Sequence, residues 1–276
     1  MKKVILTFLV LVLTVFSAAC SNSSSASDDT VKVKVGVSGT DTRVWDFIAK
    51  KAEKEGIEIE VITFSDYVAP NTALAEGEVD INAFQTVAYF DTFIEEHNVD
   101  LVPIATTVLA PMGLYSEKYK DIKEIPEGST IAIPNDPSNS GRALLLLQEA
   151  GLITLPENYD GIAGPEVIVE NPKNLKIEQM VAAQTPRVLP DVAASIINNG
   201  IAVDAGFSPT KDSIFHESAT ALPYLNIIAT RAEDKDNKTY KKVAELYQSD
   251  DTAEFIEKEY KGNMIPTFVP LSEIGW

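Results

Sequence analysis

GSTIAIPNDPSNSGRALLLLQEAG, residues 128 to 151, lays out a strand, a turn and a helix in one line. GSTIAIPND has the apolar run of a buried strand. SGRALLLLQEAG has helical spacing and stops at Gly151, a residue suited to a left-handed cap. Asn139 is positioned to cap that helix, which puts Arg142 in its first turn. A cation is unfavourable there, because the positive end of the helix dipole already occupies the site. Leu145 and Leu146 fill the positions three and four residues on, so no carboxylate on the same face explains the arginine. The expectation is an anion that the chain itself does not supply.

The same strand-and-helix unit recurs on both sides. VKVKVGV (31–37) alternates with period two, TRVWDFIAKKAEKEG (42–56) is helical up to Gly56, and IEIEVITF (57–64) is a second strand. PNTALAEG places Pro70 near a helix start and Gly77 at its end. VDINAF (79–84) is a short strand, followed by an aromatic helix over 85–97. LVPIATTVLAPMGLYS (101–116) is extended, with breaks at Pro103 and Pro111. After residue 151 the pattern gives a strand in NLKIEQM, a short helix in AAQTPRVLP, strands in VAASIIN (192–198) and LNIIAT (225–230), and two charged amphipathic helices in the tail. Strands alternating with helices predict parallel sheets covered on both faces. Two such series predict two α/β lobes, with the chain crossing near 110–116 and returning near 224–230. The expected division is 31–111 plus 228–276 for one lobe and 112–227 for the other, with the terminal helices on the first.

The N-terminus reads MKKVILTFLVLVLTVFSAAC. Lys2 and Lys3, an apolar run and a small-residue site predict a signal segment over 1–19. Its apolar core is too short for a mature membrane span. Cys20, the chain's one cysteine, follows directly, and SNSSSASDDT after it has the composition of a flexible tether over 20–30. Ser17 departs from the aliphatic residue usual in a lipobox, but the rest resembles one, so lipidation at Cys20 is expected. The formal net charge of −18 argues against nucleic acid as a partner. His97 and His216 stand far apart with no cysteine in the folded body, so neither metal nor cofactor is expected. No nucleophile elbow, phosphate loop or metalloprotease pair occurs, which argues against an enzyme.

What remains is a set of strand-end loops rich in aromatic and amide side chains. Tyr67 and Phe84 sit where strands end. Tyr89, Phe90 and Phe93 have helical spacing and read as core. Asn198 suits a turn, whereas Asn226 opens an apolar run where a buried amide needs a partner. A guanidinium at a helix start takes a carboxylate, amides take polar atoms, and aromatic walls take an apolar side chain. That combination describes a zwitterionic amino acid or a short peptide.

FSDYVAPNTALAEGEVDINAFQ, LAPMGLYSEKY, TIAIPNDPSNSGRALLLLQEAGLI, VENPKNLKI and INNG-to-PYLNIIAT resemble the methionine-binding lipoproteins of bacterial ABC importers, and the resemblance spans essentially the whole mature chain. It implies a two-lobed periplasmic-binding-protein-like α/β fold with two crossover hinge strands and ligand in the interlobe cleft. It also implies a non-enzymatic, monomeric binder anchored by lipid at the extracytoplasmic face of the cell membrane. Its ligand would be methionine, a related amino acid or a methionine-containing dipeptide, and its partners an ABC permease and ATPase. Arg142 would hold the ligand carboxylate, Asn198 and Asn226 its polar backbone atoms, with Asn139 beside them, and Tyr67 and Phe84 would line the side-chain slot. Thr86 stands where the family commonly has a histidine at the ligand, and the loop SGTDTRVWD (38–46) also differs. A longer ligand reaching Asp41, Arg43 or Trp45 is therefore open. So are two rivals: an exported enzyme using Asp136 or Asp204 as a base on a small carboxylated substrate, and an adhesin or scaffold with the same fold.

Overall fold

The computed structural model describes residues 30–218 and 222–276; the expected signal segment and Cys20 lie outside the described residues. Two mixed sheets organise the chain. The first contains β1 (Val31–Ser38), β2 (Ile57–Phe64), β3 (Ile81–Asn82), β4 (Leu101–Leu109), β10 (Leu225–Arg231) and β11 (Ile265–Pro266), in the order β11-β4-β10-β3-β1-β2. The second contains β5 (Gly113–Tyr115), β6 (Thr130–Pro134), β7 (Lys176–Met180), β8 (Ala194–Ile197) and β9 (Phe215–His216), in the order β7-β6-β8-β5-β9. Each sheet nucleates one lobe.

The expectation of parallel sheets holds only in part. β1 pairs in parallel with β2 and β3, and β6 with β7 and β8. β10 runs antiparallel to β3 and β4, and β5 antiparallel to β8 and β9. The reason lies in the crossings. A chain that leaves one sheet through 110–112 and re-enters through β10 returns in the opposite sense, so the strands at the crossings reverse direction.

In the first lobe, helices cover both faces of the sheet. α1 (Arg43–Ala52) and the two tail helices, Lys238–Tyr247 and Asp250–Tyr260, pack through Trp45, Ile48, Tyr247 and Ile256 onto Val33, Val35 and Ile228. α2 (Ala69–Ala75) and α3 (Val87–His97) pack through Leu74 and Phe90 onto Ile227 and Ala229. Ile227, Ile228 and Ala229 alternate between these two cores and are all fully buried, as period-two geometry requires of a strand covered on both sides. The tail helices therefore pack on the first sheet. Trp45 is core as well, tilted against Tyr247 at 5.5 Å.

In the second lobe, α4 (Pro137–Glu149) buries Ala143, Leu144, Leu146 and Leu147 against Ile131, Ile133 and Ile196. Gly141 on this helix is required by close approach: a Cβ there would lie 1.7 Å from the carbonyl oxygen of Gly161. Pro103 does not interrupt β4. Opposite it, β10 carries a bulge, and β11 pairs with β4 only at Val108 and Leu109. The missing N–H thus falls where no partner strand needs it. The expected helix in AAQTPRVLP shrinks to one 3-10 turn, Ala182–Gln184.

Candidate functional site

The carboxyl ends of β1, β2, β3, β4, β6, β7 and β8 and the amino end of the antiparallel β10 converge on a cleft, the usual location for a ligand in open α/β sheets. The cleft comprises a chamber of about 960 Å³ and a smaller compartment of about 50 Å³. Tyr67, Phe84, Thr86, Asn139, Arg142, Asn198 and Asn226 all line the small compartment.

Arg142 sits on α4 one turn deeper than the sequence suggests. Asp136, not Asn139, is the N-cap: its carboxylate accepts from the Asn139 amide at 3.0 Å, and Pro137 takes the first helical position. The expected missing anion is also supplied by the chain. Arg142 Nε donates to Glu217 Oε1 at 2.7 Å, Nη2 donates to Glu217 Oε2 and to the Ala110 carbonyl, and the guanidinium lies 4.4 Å from the centre of the Tyr224 ring. Both side chains are largely buried, at 5% and 13% exposure. Helical spacing could not reveal Glu217, which is 75 residues away. Nη1 has no acceptor among the described residues, so the arginine retains one donor nitrogen at the compartment.

The amides follow from Asp136. Asn139 Nδ2 donates to Asp136 Oδ1 at 2.8 Å, which turns Asn139 Oδ1 outward to accept from Asn198 Nδ2 at 2.7 Å. A carboxylate accepts and does not donate, so the direction of each amide is determined in turn. Asn198 Oδ1 ends this relay. It is buried, has no hydrogen-bond partner among the described residues, and its residue lines the compartment. Burial pushes the Asp136 carboxyl up, and the Asn139 and Ser138 bonds offset only part of that. Asn226 lies half-buried between compartment and chamber, and among the described residues no side-chain bond engages its amide.

The aromatic wall is a trio. Tyr67 lies 5.9 Å from Phe84 and 5.8 Å from Tyr89, and the Tyr89 hydroxyl donates to the Tyr67 carbonyl. Burial, reinforced by the Asp136 charge, holds both phenols well above their usual pKa, so they stay neutral. Tyr89, read as core, therefore also faces the site. Thr86 caps α3, accepting from the Tyr89 amide at 3.2 Å, and its backbone bridges to Asn226. Behind the trio, Asn71, Asn82 and Gln85 form a buried amide cluster with bonds of 2.7 to 3.0 Å that pins the segment carrying Phe84. This cluster escaped sequence reasoning, although three amides in a short apolar stretch were its signal.

The chamber is lined by Asp41, Asp66, Asp136 and Asp204, with Arg187 the one cation. Asp66 accepts from the amides of Val68 and Ala69, and Asp204 accepts from the Thr40 amide and hydroxyl across the cleft. Asp136 and Asp204, the bases considered for an enzyme, thus hold a helix start and a loop. Trp45 and Asp41 line the chamber, but Arg43 does not. Arg43 pairs with Asp41 at 2.6 Å and covers the Tyr260 ring.

The family model for the NlpA lipoprotein matches residues 33–268, nearly all of the described chain. The chain belongs to the NlpA lipoprotein family. Among NlpA relatives, the D-methionine-binding lipoprotein MetQ of Salmonella typhi is 42% identical over 253 residues, 90% of this chain and 93% of that one. A nutrient binding protein from Burkholderia cenocepacia, solved bound to methionine, is 46% identical with a TM-score of 0.82, covering 86% of this chain and all of that one. Protein PG110 from Staphylococcus aureus is 42% identical with a TM-score of 0.86, covering 88% and 97%. The two-lobed α/β fold is the one these two solved structures share with this chain.

Proposed function

We propose that this protein is the substrate-binding lipoprotein of an ABC importer, that it holds methionine or a close relative in the cleft, and that it presents the ligand to the permease. The single observation carrying this reading is the pairing, in one compartment, of an unused Arg142 donor with the orphaned Asn198 acceptor. An α-carboxylate satisfies the first and an α-ammonium the second. A zwitterionic amino acid satisfies both at once, and leaving the buried acceptor unfilled costs ~1–3 kcal/mol. Tyr67, Phe84 and Tyr89 supply the wall for a thioether, with ~0.3–1.5 kcal/mol per sulfur–aromatic contact. Asn226 and Thr86 line the same compartment. The methionine-bound relative and the MetQ relatives support the ligand class. The family supports anchoring at Cys20 and an extracytoplasmic position. In this reading the protein is a monomer and returns its ligand unchanged.

Titration calorimetry with methionine, its methyl ester and its deamino analogue tests the assignment. Methionine is expected to bind, and each analogue to lose at least tenfold, the equivalent of ~1.4 kcal/mol. Equal affinity for the ester would remove Arg142 from the role, and equal affinity for the deamino compound would remove Asn198. Turnover of methionine or a dipeptide would instead support the enzyme.

A further inference from the structure

Asn199 follows Asn198 and opens the short helix α5 (Asn199–Asp204). It is 4% exposed and lines the small compartment. Its Oδ1 is a second buried acceptor without a hydrogen-bond partner among the described residues. Its Nδ2 donates in two directions, to the Pro111 carbonyl in the crossing segment at 3.3 Å and to the Asn263 carbonyl. With its N–H groups held by carbonyls, the amide cannot turn over without setting its oxygen against theirs, so Oδ1 stays an acceptor.

Asn263 belongs to the other lobe. It lies between the last tail helix and β11 of the first sheet, just after Lys261 and Gly262, whose φ values are 49° and 91°. A left-handed φ is uncommon at a lysine, and the pair turns the chain sharply out of the helix. The Asn263 side chain there meets the second lobe. Its Oδ1 accepts from the Thr210 hydroxyl at 2.8 Å, and from the Thr210 amide and the Ser208 hydroxyl at 3.2 Å each. Asn263 lines neither the compartment nor the chamber. The two asparagines thus tie the lobes together apart from the crossings and apart from the Asp204–Thr40 contact.

One amide therefore serves two tasks. Bringing the lobes together at this tie buries Asn199 Oδ1, and an unfilled buried acceptor opposes that closure. A donor from the ligand removes the opposition, and a ligand shifts a conformational equilibrium only by what it gains in one form over the other. An α-ammonium has the donors for this, since it carries three N–H groups and Asn198 Oδ1 takes one.

We propose that Asn199 is a positioning residue that couples a filled compartment to closure of the lobes, with Asn263 as its clasp. The ligand holds Oδ1, and Nδ2 of the same amide holds Asn263, whose side chain in turn holds Ser208 and Thr210. This rests on the amino-acid reading of the compartment made above.

Hydrogen exchange at the Thr210 amide and stopped-flow binding of L-methionine test the coupling. In the wild type, saturating L-methionine is expected to slow Thr210 exchange by about tenfold. Asn199→Ala, saturated to the same extent, is expected to lose that slowing. Asn263→Ala removes no group that lines the compartment. It is expected to raise the methionine dissociation rate by about fivefold, with the association rate held within about twofold. A merely structural residue would lower the melting temperature and leave the dissociation rate alone. Thermal melting establishes that each variant is folded, and Thr210→Val replaces Asn263→Ala if the latter is not. If Asn199→Ala cannot be saturated, the two rates of the clasp variant decide. Thr210 exchange that methionine leaves unchanged in the wild type overturns the proposal, as does slowing that persists in Asn199→Ala or an unchanged dissociation rate in the folded clasp variant. A wild type that does not bind methionine overturns the amino-acid reading of the site along with it.

Discussion

Glu217 and Arg142, far apart in sequence, meet as a two-point ion pair at the cleft, and the same glutamate accepts from the Met112 amide at 2.8 Å in the crossing segment. The pair ties α4 to a crossing while leaving Arg142 Nη1 without an acceptor among the described residues. Truncating one partner of such a buried pair strands the other charge, at a cost of ~3–5 kcal/mol. Glu217→Ala is therefore expected to lower folding stability by about that amount in chemical denaturation. Glu217→Gln should lose less, and should show a larger thermal shift on adding methionine than the wild type, because the ligand then supplies the absent counter-charge.

The amide relay makes a separate prediction. Asn198→Ala removes the orphaned acceptor and should weaken methionine binding by ten- to a hundredfold, in line with ~1.5–3 kcal/mol for a bond to a charged group. Asn139→Ala leaves the acceptor but frees its orientation, so a smaller loss is expected. Were the two substitutions made together, the losses should fall short of additive, because the residues act as one unit.

Asp204 and Thr40 join the lobes across the chamber mouth through three bonds of 2.8 to 3.1 Å. Gly39 beside them has φ 91°, and a Cβ there would lie 2.5 Å from Asp204. Asp204→Ala should release this contact and populate a more open form. Small-angle scattering of the unliganded variant is expected to give a larger radius of gyration than the wild type, with the difference closing on saturation with ligand.

The loop at 38–46 should respond to pH. Burial alone would raise the Asp41 carboxyl, but the Arg43 and Tyr260 bonds outweigh it and leave it below its usual range. A depressed folded-state pKa contributes stability above the unfolded value, near 4, and loses it as pH falls through the folded value. The stability difference between the wild type and Asp41→Asn should thus be constant near neutrality and shrink below about pH 4. Solvent screening at Arg43, whose side chain is 47% exposed, keeps the effect small. Denaturation at stepped pH measures it.

Much of the fold was legible from local pattern. The expected helix stops at Gly56 and Gly151 both adopt left-handed φ values of 71°, and LNIIAT is a strand buried on both faces. The mixed strand directions were not legible, because hydropathy has the same period in parallel and antiparallel strands. The start of the Arg142 helix was misplaced by a few residues because Asp136-Pro137 and Asn139 offer competing starts, and the aspartate wins by capping the Asn139 amide.

What the sequence by itself determined is the alternation of strands and helices, the apolar faces they bury, and the gathering of amide and aromatic side chains at strand ends. These follow from neighbours a few residues apart, where spacing dictates which face is buried. The tertiary structure alone decided that Glu217 answers Arg142, that Asp136 orients Asn198 through Asn139, and that Asp204 holds Thr40. Those contacts span 75, 59 and 164 residues. No local periodicity encodes them, because a side chain's electrostatic partner is chosen by where the folded backbone brings it.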